Sequence, residues 1–103
     1  SDGPTISTSG SSEWQVAQLY MSTQGQLIEA GTRLTELTLD ARGALTLKLA
    51  NGIEVRFGRR QVEERLNCFI RSALPYLAGR TADVKYVDMR YSNGFAISWK
   101  NNA

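Results

Sequence analysis

The sequence contains no histidine, one cysteine and no long apolar run. Each absence excludes a class of function. Without histidine the chain lacks the commonest general base and the commonest metal ligand. A single thiol, Cys68, permits neither an internal disulfide nor a cysteine-based zinc site, and it leaves the redox compartment open. No stretch approaches the roughly 18 apolar residues of a membrane-spanning helix, and no signal-peptide pattern opens the chain. Charge of one sign is also scarce. Twelve Lys and Arg stand against ten Asp and Glu, a net charge of +2, which is a weak basic excess for a nucleic-acid partner.

What is present is an ordinary globular composition. With 103 residues, 42% apolar and 21% charged, the chain forms one domain with a modest core and is not a disordered segment. Residues 1–12, "SDGPTISTSGSS", are small and polar. They are expected to form a loose, flexible N-terminal segment with the character of an appended remnant, in which Thr5-Ile6-Ser7-Thr8 is a weak extended piece. The folded domain is expected over 13–100. Ser12-Glu13 reads as a helix start, and Val16, Ala17, Tyr20, Leu27 and Ile28 fit a helical stripe that Gly25 interrupts and Gly31 ends.

Three strands follow. Leu34 to Leu39 comes first. Leu45, Leu47 and Leu49 alternate with Thr46 and Lys48, then Ile53, Val55 and Phe57 alternate with Glu54 and Arg56, the pattern of a half-buried antiparallel sheet. A three-residue "ANG" loop with Gly52 in the left-handed region pairs Leu49 with Ile53, Leu47 with Val55 and Leu45 with Phe57, so every apolar side chain shares one face. Arg60 to Ala78 reads as a helix with Val62, Leu66, Phe69, Ile70, Ala73 and Leu77 on one face, kinked or ended by Pro75. A closing "SNG" hairpin pairs Tyr91 with Phe95, Met89 with Ile97 and Val87 with Trp99. The expected fold class is α+β: an antiparallel sheet with two helices packed on it, in the order helix-β-β-β-helix-β-β.

Catalytic chemistry is hard to assemble from these residues. Cys68 sits beside an apolar helix face with no histidine to activate it. Glu63 and Glu64 are adjacent on a helix and diverge. Asp83 and Asp88 fall at odd spacing on one strand. No phosphate loop, metal constellation or cofactor motif is present, and no enzyme activity is expected. Arg56, Arg59, Arg60, Arg65 and Arg71 could gather into a basic patch, and an Arg-rich helix start would suit an anion or nucleic acid. That is the alternative reading, set against the balancing Glu54, Glu63 and Glu64. The terminal strand asks for more explanation. Residues 94–99 carry no proline and no charge, the usual means by which an edge strand is blunted. An unprotected edge is suited to β-augmentation, in which a partner peptide adds a strand.

The wording of several segments resembles the FtsQ (DivIB) family of bacterial cell-division proteins. "YVDMRYSNGFAISW" is similar to its closing strands. "LTLKLANGIEVRFGRRQVEERLNCFI" matches its strand, Asn-Gly turn, strand, Gly-Arg and helix. "SSEWQVAQLY" and "LTELTLDARGALTL" fit in order and spacing, so the resemblance covers nearly all of residues 4–99. It implies a single-pass protein of the bacterial inner membrane, with a POTRA domain and a β domain on the periplasmic side at the division septum. This chain would hold the later part of the β domain, with the membrane helix and POTRA domain outside it. The resemblance further implies a scaffold that is not an enzyme, that recruits FtsB and FtsL and that links early to late divisome proteins. It places Arg90, Tyr91, Asn93, Gly94 and Trp99 on the FtsB-binding surface, with Phe95, Ile97 and Ser98 of the same strand. It sets Arg42, in the "DARGAL" turn, where an arginine meets an acidic residue of FtsB by a bidentate contact. Two departures stand out: Arg60-Gln61 where relatives often carry an acidic residue, and Phe95 where the family is often small.

Overall fold

The computed structural model describes residues 5–8 and 13–100. Most of the polar N-terminal segment, including Ser12 of the expected helix start, lies outside them. Thr5–Thr8, read as a weak extended piece, forms a strand, β1, that pairs parallel with β2. Helix α1 (Glu13–Glu29) follows, then β2 (Leu34–Leu39), β3 (Leu45–Leu49) and β4 (Glu54–Gly58). The second helical stretch runs as α2 (Val62–Cys68), a π-helical turn (Phe69–Ala73) and α3 (Leu74–Leu77). After a 3-10 turn (Thr81–Asp83) come β5 (Val84–Asp88) and β6 (Ala96–Trp99).

The six strands lie side by side in sequence order. The expected antiparallel sheet is therefore corrected to a mixed one: β1–β2 and β4–β5 are parallel, and the other three junctions antiparallel. The cause is the helices. A helix between two neighbouring strands carries the chain back to the end it started from, so those strands must run the same way. The expected element order is corrected too, because β1 precedes α1 and makes a sixth strand.

Leu34, Leu37, Leu45, Leu47, Leu49, Ile53, Val55, Phe57, Val84, Val87 and Met89 are buried on the helix-covered side, against Val16 and Leu27 of α1 and Leu66, Phe69, Ala73 and Leu77 of the second helical stretch. The rings of Phe57 and Phe69 meet edge to face with centroids 6.1 Å apart, a favoured aromatic geometry that seats the π-helical turn on β4. Gln24 ties α1 to the sheet by accepting from the Leu34 amide and donating to its carbonyl, at 2.7 and 3.1 Å. Helix α1 ends where expected. Gly31 has φ 91, and the amides of Gly31 and Thr32 reach the carbonyls of Ile28 and Leu27, a Schellman closure that needs a residue free of Cβ strain. The buried stripe of α1 is Val16, Thr23 and Leu27, whereas Ala17 and Ile28, expected inside, are exposed.

The β3–β4 register holds at Leu47 opposite Val55, with the Leu49 amide bonded to the Ile53 carbonyl and Gly52 at φ 90. A bulge between Leu45 and Thr46 then sets Leu45 opposite Gly58 instead of Phe57. Pro75 acts one turn ahead of itself. Its ring cannot sit against the carbonyl four residues back, and the helix widens there, with the Leu74 amide reaching the carbonyl of Phe69.

The closing hairpin departs furthest from expectation. Val87, not Met89, lies opposite Ile97, and Trp99 lies opposite Val84. The Met89 amide bonds to the Arg56 carbonyl on β4 at 2.8 Å, and Asp88 accepts from the Arg90 amide at 3.0 Å. Both contacts turn the chain away from β6, so 89–95 form a wide connection in place of a three-residue turn.

Candidate functional site

Strand β6 ends the sheet among the described residues and pairs with β5 alone. Every second backbone unit of its outer side therefore directs N–H and C=O groups away from the sheet. The four residues Ala96-Ile97-Ser98-Trp99 carry no charge and no proline. Ser98 lies opposite Tyr86, on the side of the sheet away from the helices, and Ile97 lies opposite the buried Val87. Phe95 and Ile97 pack partly against the core. Trp99, expected opposite Val87, lies opposite Val84 and is 41% exposed. It stands beside the 3-10 turn, where Arg80 reaches over its ring.

That arginine belongs to a wall that sequence reasoning missed. Tyr76 of α3 is exposed and meets Phe95 with ring centroids 6.1 Å apart. The Arg80 guanidinium lies 5.0 Å from the Tyr76 ring and 5.4 Å from the Trp99 ring, within cation–π range of both. Phe95, Tyr76, Arg80 and Trp99 thus border the inner side of the free edge. No spacing in the sequence marks this wall: Tyr76 lies in α3, whereas Arg80 follows the helix end at Leu77 and the turn at Gly79 (φ 84), so folding alone brings them together.

The connection 89–95 carries the remaining sequence-identified residues. Asp88 holds Arg90 in a fork, accepting from Nε at 2.9 Å and Nη2 at 2.8 Å. The Arg90 hydrogen bonds keep the Asp88 carboxyl below its ordinary value, and Asp88 in turn raises Arg90. Tyr91 is 55% exposed. Tyr91, Asn93 and Gly94 line a cavity of about 290 Å³ with Gln61, Arg65 and Cys68.

Arg42 lies in the β2–β3 turn, three strands from β6, roughly 15 Å by strand spacing. Asp40 shapes that turn, accepting from the amides of Arg42 and Ala44 at 2.9 Å each. The Ala44 contact leads in lowering its carboxyl from the ordinary value. The structure nonetheless brings Arg42 to the same end of the sheet as Arg90. Gly43 approaches Arg59, where an added Cβ would meet Arg59 Cβ at 3.9 Å, and Gly58 approaches Arg90, where one would meet Arg90 Cγ at 3.2 Å.

The arginine patch of the alternative reading is set against charge partners and contacts at the helix start. Helix α2 starts at Val62, after Arg59-Arg60, and its first turn holds Glu63 and Glu64. Arg56 is paired with Glu54 at 2.7 Å and stacked 3.7 Å over Tyr86, while Arg65 donates to the Phe57 carbonyl at 2.8 Å. Among the described residues no group of three metal-ligating side chains occurs, and no helix is long and apolar enough to cross a membrane.

Comparison with known proteins agrees with the resemblance. The family described as "Cell division protein FtsQ/DivIB, C-terminal" matches residues 2–90. Proteins named cell division protein FtsQ are similar to this chain in Allochromatium vinosum (40% identity over 89 residues, 85% of this chain and 35% of the relative) and in Coxiella burnetii (33% over 98 residues, 95% and 40%). In Neisseria meningitidis the figures are 36% over 76 residues, 74% and 32%. The chain thus spans about a third to two fifths of the relatives it matches.

Proposed function

Because this chain belongs to the FtsQ/DivIB C-terminal family of cell-division proteins, we propose that it is a non-enzymatic interaction domain of the divisome that binds FtsB, within the FtsB–FtsL complex, by adding a strand to β6. The observation that carries this reading is the free edge of β6, which has neither charge nor proline and is flanked by the exposed Trp99 and Tyr91. A backbone edge supplies affinity, and side-chain pockets next to it supply specificity. Arg42 and Arg90, at one end of the sheet, would receive acidic residues of the partner that continue beyond the added strand. For Arg90 such a contact shares or exchanges the fork with Asp88. The full-length protein would hold this domain on the periplasmic side of the inner membrane at the septum, anchored by a helix outside this chain, and would connect early to late division proteins.

Calorimetric titration with a peptide from the C-terminal periplasmic segment of the FtsB encoded by the same genome tests the proposal. A saturable one-to-one isotherm is expected. A flat titration at concentrations well above those of typical transient complexes overturns it.

A further inference from the structure

We propose that Tyr76 and Arg80 form a specificity wall that reads an acidic side chain of the added strand, positioned level with Trp99. This inference rests on strand addition at β6. An incoming strand presents alternate side chains to the helix side of the sheet. Two such positions, two residues apart, fall along the short β6. One lies beside Ile97, between Phe95 and the Tyr76 ring that meets it at 6.1 Å, and suits an apolar side chain. The other lies beside Trp99, under Arg80.

The state of Arg80 determines what the second position accepts. Its guanidinium lies near two ring faces, at 5.0 and 5.4 Å, and among the described residues no carboxylate lies within 4.0 Å of it. A stacked guanidinium is oriented by the rings while its N–H donors stay in the plane, available to an anion. The surroundings carry the same sign. Arg80, Lys85 and Lys100 are exposed around this end of β5 and β6, against the exposed Asp83. An arginine oriented before binding loses little further freedom when a carboxylate arrives, which favours a carboxylate over a neutral side chain of the same size. The partner strand is therefore one with an apolar and an acidic residue two positions apart on its helix-facing side.

The test uses the FtsB peptide on the parent domain and on Arg80→Glu, with each acidic residue of the peptide replaced singly by lysine. Reversal of the charge weakens binding of the unaltered peptide by about tenfold or more, as like charges meet at a contact. One lysine-substituted peptide regains affinity for Arg80→Glu while losing it for the parent. Tyr76→Ala, which removes one stacking face, gives a smaller loss in the same direction. Arg80 and Tyr76 are exposed, so an unchanged melting temperature confirms that each variant folds. Binding of Arg80→Glu within about twofold of the parent, the margin expected for uncoupled sites, overturns the inference and leaves strand addition standing, as does failure of every lysine peptide to rescue. If the parent itself takes up no peptide, both readings fall together.

Discussion

Replacing Trp99 by alanine separates the contribution of the edge from that of the core. Trp99 is 41% exposed in the free domain, so of a side chain of about 250 Å² roughly 100 Å² remains for a partner to cover. At about 25 cal/mol per Å² that area is worth about 2.5 kcal/mol, or roughly sixtyfold in dissociation constant. The value is an upper estimate for burial alone, since association orders side chains on both partners. Trp14, 69% exposed on α1, serves as the control, because it offers more apolar surface at a place unrelated to β6. In calorimetric titration with the FtsB peptide, Trp99→Ala should weaken binding by one to two orders of magnitude, and Trp14→Ala should leave it unchanged. Equal affinities for the two variants, with both folded, would refute the assignment of the binding surface to β6.

Three further outcomes follow from the fold that holds this site. Gly58 has φ 72, and an added Cβ would lie 3.2 Å from Arg90 Cγ and 3.3 Å from Arg65 Nη1; Gly58→Ala should cost about 1–3 kcal/mol in denaturant unfolding through backbone strain and crowding. Phe69 is fully buried against Phe57, and Phe69→Ala should cost about 3–5 kcal/mol in the same measurement. The Asp88 carboxyl is held below its ordinary value by hydrogen bonds from Arg90, so the folded state takes up its proton less readily than the unfolded state. Its stabilisation is complete above the unfolded value of about 4 and disappears as pH falls through the lower folded value. Melting temperatures measured from neutral to acid pH should therefore fall less steeply for Asp88→Asn than for the parent, and parallel curves would contradict the pairing.

Much of the fold was legible because local pattern and tertiary packing agree. The alternation of Leu45, Leu47 and Leu49 with polar neighbours, and the Asn-Gly turn after them, specify a hairpin that slips only at its far end, where a bulge brings Gly58 opposite Leu45. Gly31 and Pro75 mark breaks in helical geometry, and the structure puts breaks beside both. The closing hairpin was misread because Met89, Tyr91, Phe95, Ile97 and Trp99 alternate equally well in two registers. The choice is made by the Met89 amide bonding to β4 and by Asp88 holding Arg90, contacts that no periodicity contains. Strand β1, four residues of Thr, Ile and Ser, was legible only as a weak extended piece and not as a sheet member, and the parallel junctions are a consequence of chain reversal through helices. At the site, Phe95 to Trp99 could be found from the missing edge protection. Tyr76 and Arg80 belong to a different element and join them only through folding.

A partner strand that pairs with β6 would be registered at the backbone by amide hydrogen exchange. With saturating FtsB peptide, amides within 95–99 that face outward should exchange at least about tenfold more slowly, because each gains an interstrand hydrogen bond. Those of β3, which is paired on both sides, should keep their rates. Unchanged exchange along β6 at saturation, or new protection confined to Thr5–Thr8 at the opposite edge, would contradict that pairing.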